Sequence, residues 1–219
     1  DGPPRQQPGW HKLVWQNQEW HVYTLLQDGL TIQVSQPGQS RDQTFWRIAP
    51  ALTTALVLLM TLPGIALFYG GMVRRKSVIN TMASVVAIAA LVSLLWFAVS
   101  YSIAFTPGNG FMGGTDRLWF SGMAYFKEAG KVAVSHVAPN IPESVYSMFQ
   151  LTFAIITAAL IVGALVERME FAALLWFTGM WSVAVYAPVA HWVWEPGGWL
   201  AQLGVLDFAG GSVVHINAG

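Results

Sequence analysis

An aspartate and a histidine lie within the apolar stretch LDFAGGSVVHINAG, which runs from Leu206 to Gly219. Asp207 precedes small residues that fit the first turn of a helix, where its carboxylate would accept backbone N–H bonds and complement the helix dipole. If the whole stretch is helical, His215 lies about 12 Å deeper along the axis. An ionisable group inside an apolar segment favours a pathway lining, and imidazole suits proton relay because it titrates near neutral pH. The alternative is a histidine that only bonds a neighbouring helix.

Two other patterns resemble chemical sites, but their context does not support one. The stretch PGNGFMGG at 107–114 contains G-x-G-x-x-G, but it follows an apolar segment rather than a parallel strand, so a flexible outer loop explains the glycines better than a nucleotide site does. His136, His191 and His215 lack a second ligand at i+3 or i+4, so we predict no metal and no cofactor. No nucleophile, base and orienting group come together, so we do not predict an enzyme.

Membrane spans are the elements that must position these residues. Hydrophobic residues make up 54% of the 219 positions and charged residues 10%, against roughly a quarter charged in soluble domains. Charge-free runs at 48–73, 77–115, 144–166 and 171–194 each reach the ~20 residues that cross a bilayer. We therefore predict spans over about 47–73, 77–105, 144–166 and 171–194, with a fifth, over 206–219, that is cut short. Eleven basic residues balance eleven acidic ones, which gives no reason to expect nucleic acid as a partner.

Charge placement predicts the orientation in a cell membrane. Basic residues lie in the short connections at 74–76 and 167–170, so these face the cytoplasm and the N-terminus lies outside. Residues 1–45 are polar, and the alternating stretches EWHVYTLL and LTIQVSQ around Gln27-Asp28-Gly29 favour a small β-hairpin. The absence of a leader and of an initiating Met suggests a processed or excerpted chain. We thus expect a polar extension over 1–45 and a partial membrane domain over 46–219.

Several motifs together resemble the ammonium transporter family, the Amt, Mep and Rh proteins. They are DFAGGSVVHINAG, LMTLPGIALFYGGMVRRKSVINT, FQLTFAIITAALIVGALVERMEFAALLWF and PVAHWVW, in the family's order between Ala51 and Gly219. The resemblance implies an all-α polytopic membrane protein with the family's helical bundle. That bundle has eleven helices, ten of them in two inverted halves with a conduction path between them, in a homotrimer. This chain matches the first half of the inverted repeat.

The resemblance also implies where a cation would first bind. Phe153 matches the phenylalanine of the family's outer gate, and Trp194 matches the tryptophan beside its external recruitment site. Phe149 and Gln150, one turn before Phe153, are further candidates for the same vestibule. Aromatic faces attract cations. Ordinary packing is the alternative for each ring.

Residues of the last segment and of the connection before it complete the expected site. By resemblance, Asp207 orders backbone groups near the recruitment site and assists cation entry, and His215 is the first of two pore histidines. From the residues alone, Gly210 and Gly211 would allow another helix to approach closely. Glu195 departs from the family, which is commonly glycine-rich there, so we expect a reshaped vestibule rim.

The function implied is ammonium and ammonia transport. A bare ammonium ion in an apolar pore would lose hydration that neutral ammonia hardly needs, so recruitment, deprotonation and ammonia conduction through a histidine-lined pore is the favoured route. The expected partners are ammonium, the lipid bilayer, copies of the chain in a homotrimer, and a PII-type regulator that contacts parts absent here. The alternatives are an ammonium sensor attached to signalling domains and a half-transporter fragment that does not conduct. Residues 1–45 have no recognised counterpart.

Overall fold

Four helices in the described part of the chain are long and apolar enough to cross a bilayer. The computed structural model describes residues 3–4, 6–27, 30–123, 125–126 and 131–219. The four helices are Phe45–Met72, Arg75–Phe105, Glu143–Leu165 and Phe171–Gln202. The predicted all-α bundle with four complete spans is confirmed, and the chain is a multi-pass membrane protein.

The N-terminal unit, Asp1–Pro50, contains a three-stranded antiparallel sheet. Its strands, in spatial order, are β1 (Gly9–Trp15), β2 (Gln18–Gln27) and β3 (Leu30–Pro37). Gln16 and Asn17 both have positive φ, at 50° and 64°, which is the backbone of a two-residue hairpin turn that follows the natural strand twist. The predicted β character is confirmed, with β1 as an added strand. Asp28 and Gly29 of the predicted turn lie outside the described residues.

The first helix, α1, extends over Gly38–Met72. It therefore begins well before residue 47, where we expected the first span to start. Apolar composition marks only the part of a helix that suits the bilayer, whereas helix propagation continues through polar residues once the first turn has formed. The polar extension thus contributes both the sheet and the first turns of α1.

Two spans each contain a π-helical turn. In the second span, α2 (Val78–Leu95) and α3 (Tyr101–Phe105) are joined by the π turn Trp96–Ser100. In the fourth, α5 (Phe171–Trp181) and α6 (Ala187–Trp194) are joined by the π turn Ser182–Tyr186. Pro188 has no N–H to donate, so the turn before it must rearrange. The wide turns face each other, with the rings of Trp96 and Tyr186 6.3 Å apart.

The third span, α4 (Glu143–Leu165), lies at the centre of the packing. Small buried residues, Ala154, Ala158 and Ala159, line the faces that it presents to its neighbours, as is common where membrane helices approach closely. From α1, the Tyr69 hydroxyl donates a hydrogen bond of 2.9 Å to the carbonyl of Leu160. These contacts hold α4 in place, and α4 carries the candidate vestibule residues.

Buried histidine contacts fix the outer loop after α3. The Nδ1 and Nε2 atoms of His191, which is fully buried, lie 3.1 Å and 2.8 Å from the carbonyl oxygens of Ala104 and Asn109. A Cβ on Gly108 would meet the Met112 carbonyl oxygen at 2.2 Å. Gly108 therefore serves close backbone approach, and the flexibility expected of this loop stays a prediction.

The last segment is helical over a shorter range than expected. After α7 (Trp199–Gln202), the chain is irregular until the π-helical turn Gly211–Ile216. We expected helix from residue 206, but Gly210 adopts a left-handed conformation with φ of 91°, which interrupts any helix that would begin earlier. Asp207 therefore lies ahead of the helical turn, with its carboxylate towards the N–H groups of 210–213.

Candidate functional site

Three half-buried aromatic rings form a continuous edge-to-face row between α4 and α6. Phe149 and Phe153 lie one turn apart on α4, with ring centroids 5.2 Å apart at 89°. Phe153 in turn meets Trp194, the last residue of α6, at 5.4 Å and 65°. The structure thus brings together three of the residues that the sequence predicted for the vestibule. We call Phe149, Phe153 and Trp194 the aromatic mouth.

A hydrogen bond connects the aromatic mouth to the final segment. The indole Nε1–H of Trp194 donates to the backbone carbonyl oxygen of Asp207 at 2.9 Å. A ring held by its polar edge keeps its face in one orientation, which matters for any interaction with the π system. The bond therefore positions Trp194 relative to the segment that carries His215.

The carboxylate of Asp207 is occupied by backbone donors. Its Oδ1 accepts N–H bonds from Gly210 at 2.6 Å and Gly211 at 2.9 Å, and its Oδ2 accepts from Ser212 at 2.7 Å and Val213 at 3.0 Å. These are the N–H groups that the start of a helix leaves without an intrahelical acceptor. Four such bonds favour the ionised carboxylate. Asp207 thus brings a negative charge to the mouth while its oxygens are already taken.

The two glycines after Asp207 have different surroundings. A Cβ on Gly210 would meet Val214 of the next turn at 2.4 Å, in a left-handed conformation that disfavours side chains. A Cβ on Gly211 would meet no atom within 4 Å. Local backbone geometry therefore accounts for Gly210, and close packing of another helix against Gly211 stays a prediction.

Gln150 and His215 differ from the aromatic mouth in their environment. Gln150 is buried in α4, and its Nε2 donates to the Tyr146 hydroxyl at 3.2 Å. Its Oε1 is buried and has no hydrogen-bond partner among the described residues. His215 lies in the final π turn with its side chain exposed on the surface of this chain. A vestibule role for Gln150 and a pore role for His215 stay predictions.

A hydrogen-bonded pair that the sequence did not predict, the exposed His136 and the buried Glu195, lies beside the aromatic mouth. The Nε2 of His136 lies 3.0 Å from Oε1 and 2.9 Å from Oε2 of Glu195, the residue after Trp194. In the sequence, Glu195 stands where the resemblance to the family leads us to expect glycine. Its partner lies 59 residues earlier, and no local pattern indicates the pairing.

A second polar cluster anchors the outer loop to the start of α4. The Arg117 Nε donates to Oε1 of Glu143 at 2.8 Å, and the Tyr101 hydroxyl donates to the same oxygen at 3.1 Å. The hydrogen bond to Glu143 raises the pKa of Arg117 above its ordinary value, against the opposing effect of burial. Glu143 is 3% exposed, so its charge depends on this pairing.

Comparison with protein families identifies the membrane part of the chain. The model of the Ammonium Transporter Family matches residues 50–219. The chain is 49% identical over 164 residues to an ammonium transporter of Bacillus subtilis (strain 168), a match that covers 75% of this chain and 38% of that protein. The chain thus spans about two fifths of the length of the curated relatives that it matches.

Solved structures agree with this result. The crystal structure of Candida albicans Mep2 superposes with a TM-score of 0.69 at 31% identity, covering 81% of this chain and 37% of that chain. A structure described as a sensor Amt protein superposes with a TM-score of 0.68 at 24% identity over 80% of this chain and 42% of that one. The second likeness shows a shared fold.

Proposed function

Because the chain belongs to the ammonium transporter family, we propose that it recruits ammonium at the aromatic mouth and supplies one wall of the path along which ammonia crosses the membrane. The observation that carries the proposal is the ring pair Phe153–Trp194, held at 5.4 Å and fixed to Asp207 through the indole N–H. A cation over an aromatic face is stabilised by roughly 0.5 to 2 kcal/mol, depending on how far it is desolvated. This interaction suits a dehydrating cation at an entrance.

Asp207 acts on the entering cation through its charge and through the backbone that it orders. Four N–H donors already occupy its carboxylate oxygens, so direct binding of ammonium would have to displace one of them. Its negative charge still lowers the energy of a cation nearby. Its carbonyl oxygen fixes the Trp194 ring, which makes Asp207 a positioning residue.

Beyond the mouth, the neutral species is the one that passes. Moving an ion into an apolar pore costs many kcal/mol of hydration, whereas ammonia has little to lose. Ammonium therefore gives up its proton near the mouth, and His215 lines the path that ammonia follows and offers an imidazole for proton relay. Potassium can be attracted to the same mouth, but it has no proton to release, and this gives the site its selectivity.

The proposed setting follows from the family and from charge placement. We place the N-terminus outside the cell membrane because the basic residues of 74–76 lie in a short connection between spans. We also propose a homotrimer, and a PII-type regulator that contacts parts of the transporter beyond those described here. The lipid bilayer covers the large apolar side chains that are exposed on the spans.

Transport assays on the protein expressed from its own gene test the proposed function. In proteoliposomes, we expect uptake that saturates with ammonium and that potassium does not replace. Replacing both rings, Phe153→Leu with Trp194→Leu, should raise the half-saturating ammonium concentration roughly five- to thirtyfold, because one to two kcal/mol of cation–π attraction is lost. The control is Trp176→Leu, a 73% exposed ring on α5. An unchanged half-saturating concentration in the double variant contradicts recruitment at the aromatic mouth.

A further inference from the structure

We propose that Glu195 is a further electrostatic residue of the cation entrance, and that His136 sets how much of its negative charge an entering ammonium ion meets. This inference rests on the proposed function, since it concerns the same mouth. It assigns a role to a carboxylate that stands where the ammonium transporter family is commonly glycine-rich.

The geometry of the pair is that of a buried acid with a titratable partner at the surface. The Nε2 of His136 lies within 3.0 Å of both carboxylate oxygens of Glu195. The Glu195 side chain is 5% exposed, whereas that of His136 is 41% exposed. A buried carboxylate is poorly screened by water, so its effect on the surroundings depends on the charge of the group that pairs with it.

Backbone contacts hold Glu195 at the edge of the aromatic mouth. Its N–H donates to the carbonyl of His191 at 3.2 Å, and its carbonyl accepts from the Gly198 N–H at 2.8 Å. It follows directly after Trp194, so the carboxylate and the indole ring share one turn at the end of α6. The carboxylate also interacts electrostatically with Tyr146, which lies one turn before Phe149 on α4. A change in net charge at Glu195 therefore reaches a cation at the mouth.

The other ionisable groups around the pair are Tyr146, His191 and Asp207. From α4, Tyr146 faces Glu195, but a phenol ordinarily titrates near 10. From α6, the two ring nitrogens of His191 lie against the carbonyl oxygens of Ala104 in α3 and of Asn109 in the loop that follows. From the final segment, the Asp207 carboxylate is occupied by four backbone donors. Within the described residues, His136 is thus the ionisable group whose side chain hydrogen-bonds to Glu195.

The sign of the effect follows from the charge of the pair. When His136 is protonated, the pair is neutral and adds nothing to the attraction of a cation. When His136 loses its proton, its Nε2–H still donates to Glu195, but the pair now carries one negative charge. A nearby unit charge in a partly aqueous entrance changes the half-saturating concentration of a monovalent cation by roughly two- to fivefold. Because imidazole is the side chain that ordinarily changes charge between about pH 5 and 8, we expect the wild-type protein to bind ammonium more tightly as the pH rises through that range.

Three substitutions distinguish the neutral state of the His136–Glu195 pair from its negatively charged state. His136→Gln removes the titrating group and leaves Glu195 uncompensated, so the half-saturating ammonium concentration should stay at the tight limit throughout. His136→Lys keeps the pair neutral and should stay at the weak limit. Glu195→Gln removes the negative charge and should be weaker than the wild type at every pH. The control is Glu167→Gln, because Glu167 precedes the span whose far end carries Glu195.

The readout is the ratio of half-saturating concentrations, variant over wild type, measured in proteoliposomes from pH 5 to 8. Ammonium's own ionisation is common to all variants and cancels in the ratio. A ratio that rises from below one at pH 5 towards one at pH 8 for His136→Gln, and from near one at pH 5 to above one at pH 8 for His136→Lys, supports the proposal. If both follow the wild-type curve while wild-type protein transports ammonium, the role of Glu195 is refuted and the proposed function stands. If the wild-type protein does not transport ammonium, the proposed function and the role of Glu195 are both refuted. Should His136→Lys not fold, His136→Gln and Glu195→Gln still decide the matter.

Discussion

The indole N–H of Trp194 and the backbone carbonyl of Asp207 meet at 2.9 Å, across 13 residues of chain. This bond connects the end of the fourth span to the segment that leads into the last helical turn. It means that the orientation of the Trp194 ring depends on the conformation of the Asp207 loop. Variants of Trp194 and of Asp207 test the contributions of the ring and of the loop separately.

Trp194→Phe keeps an aromatic face but removes the donor to Asp207. A lost hydrogen bond of this kind costs about 0.5 to 1.5 kcal/mol, so we expect the half-saturating ammonium concentration to rise roughly two- to tenfold. Trp194→Leu loses the face as well and should be weaker still. Transport assays on both variants check the order, and equal behaviour of Phe and Trp at 194 would show that the hydrogen bond has no part in recruitment.

Asp207→Ala removes both acceptor oxygens and with them the four hydrogen bonds from the backbone N–H groups at 210–213. Because loss of a helix-capping side chain costs about 0.5 to 2 kcal/mol, we expect a lower unfolding temperature in detergent together with weaker ammonium recruitment. Asp207→Asn retains one acceptor oxygen, so its unfolding temperature and its ammonium recruitment should lie between those of the wild type and of Asp207→Ala. Asp116→Asn, at an exposed position of the outer loop, is the control. Wild-type stability in Asp207→Ala would exclude the capping role.

His215→Asp tests whether the final turn lines the path. A fixed carboxylate in an apolar pore favours cations over a neutral gas, so we expect lower discrimination between ammonium and potassium and altered coupling to protons. Flux of both ions in proteoliposomes, with and without a pH gradient, measures this. A wild-type profile would leave His215 with a structural role alone.

Gly163→Ala tests the contact between α1 and α4. The added Cβ would lie 2.4 Å from the Tyr69 ring, so the ring must move and lose its 2.9 Å bond to Leu160. Overpacking of this kind costs about 1 to 3 kcal/mol. Gly71→Ala is the matched control, since its Cβ would meet nothing within 4 Å. The unfolding temperature should fall only in Gly163→Ala, and combining that substitution with Tyr69→Ala should remove the clash.

The carboxylate of Glu167, in the connection after α4, should make the stability of the protein depend on pH. The hydrogen bond from Arg74, at 3.0 Å, lowers the pKa of Glu167. A folded-state pKa below the unfolded value of about 4.3 means that the pair stabilises the protein above that pH and stops doing so as pH falls through the folded pKa. The unfolding temperature of Glu167→Gln should therefore lie slightly below wild type at pH 7 and meet it near pH 3. High salt should shrink the difference, because the pair is exposed. A difference that persists at pH 3 would point to another cause.

Composition and local pattern determined the membrane class, the four spans and the polar extension with β character. These follow from the sequence because the length of an apolar run and the alternation of polar residues are local properties. The motifs around Phe153, Trp194, Asp207 and His215 also indicated the family. Helix bounds were less accessible, because Gly210 interrupts the last segment through its backbone conformation and α1 continues into polar sequence.

Only the tertiary structure decided which residues meet. The row Phe149, Phe153 and Trp194, the bond from Trp194 to Asp207 and the pair His136–Glu195 each join segments that are distant in sequence. Such contacts depend on how the spans cross and on where the π turns fall, and neither is encoded in a local period of the chain. The structure also places the carbonyl of Asn109 against His191 and sets steric limits at Gly108, which arise from atoms that only the folded backbone brings near.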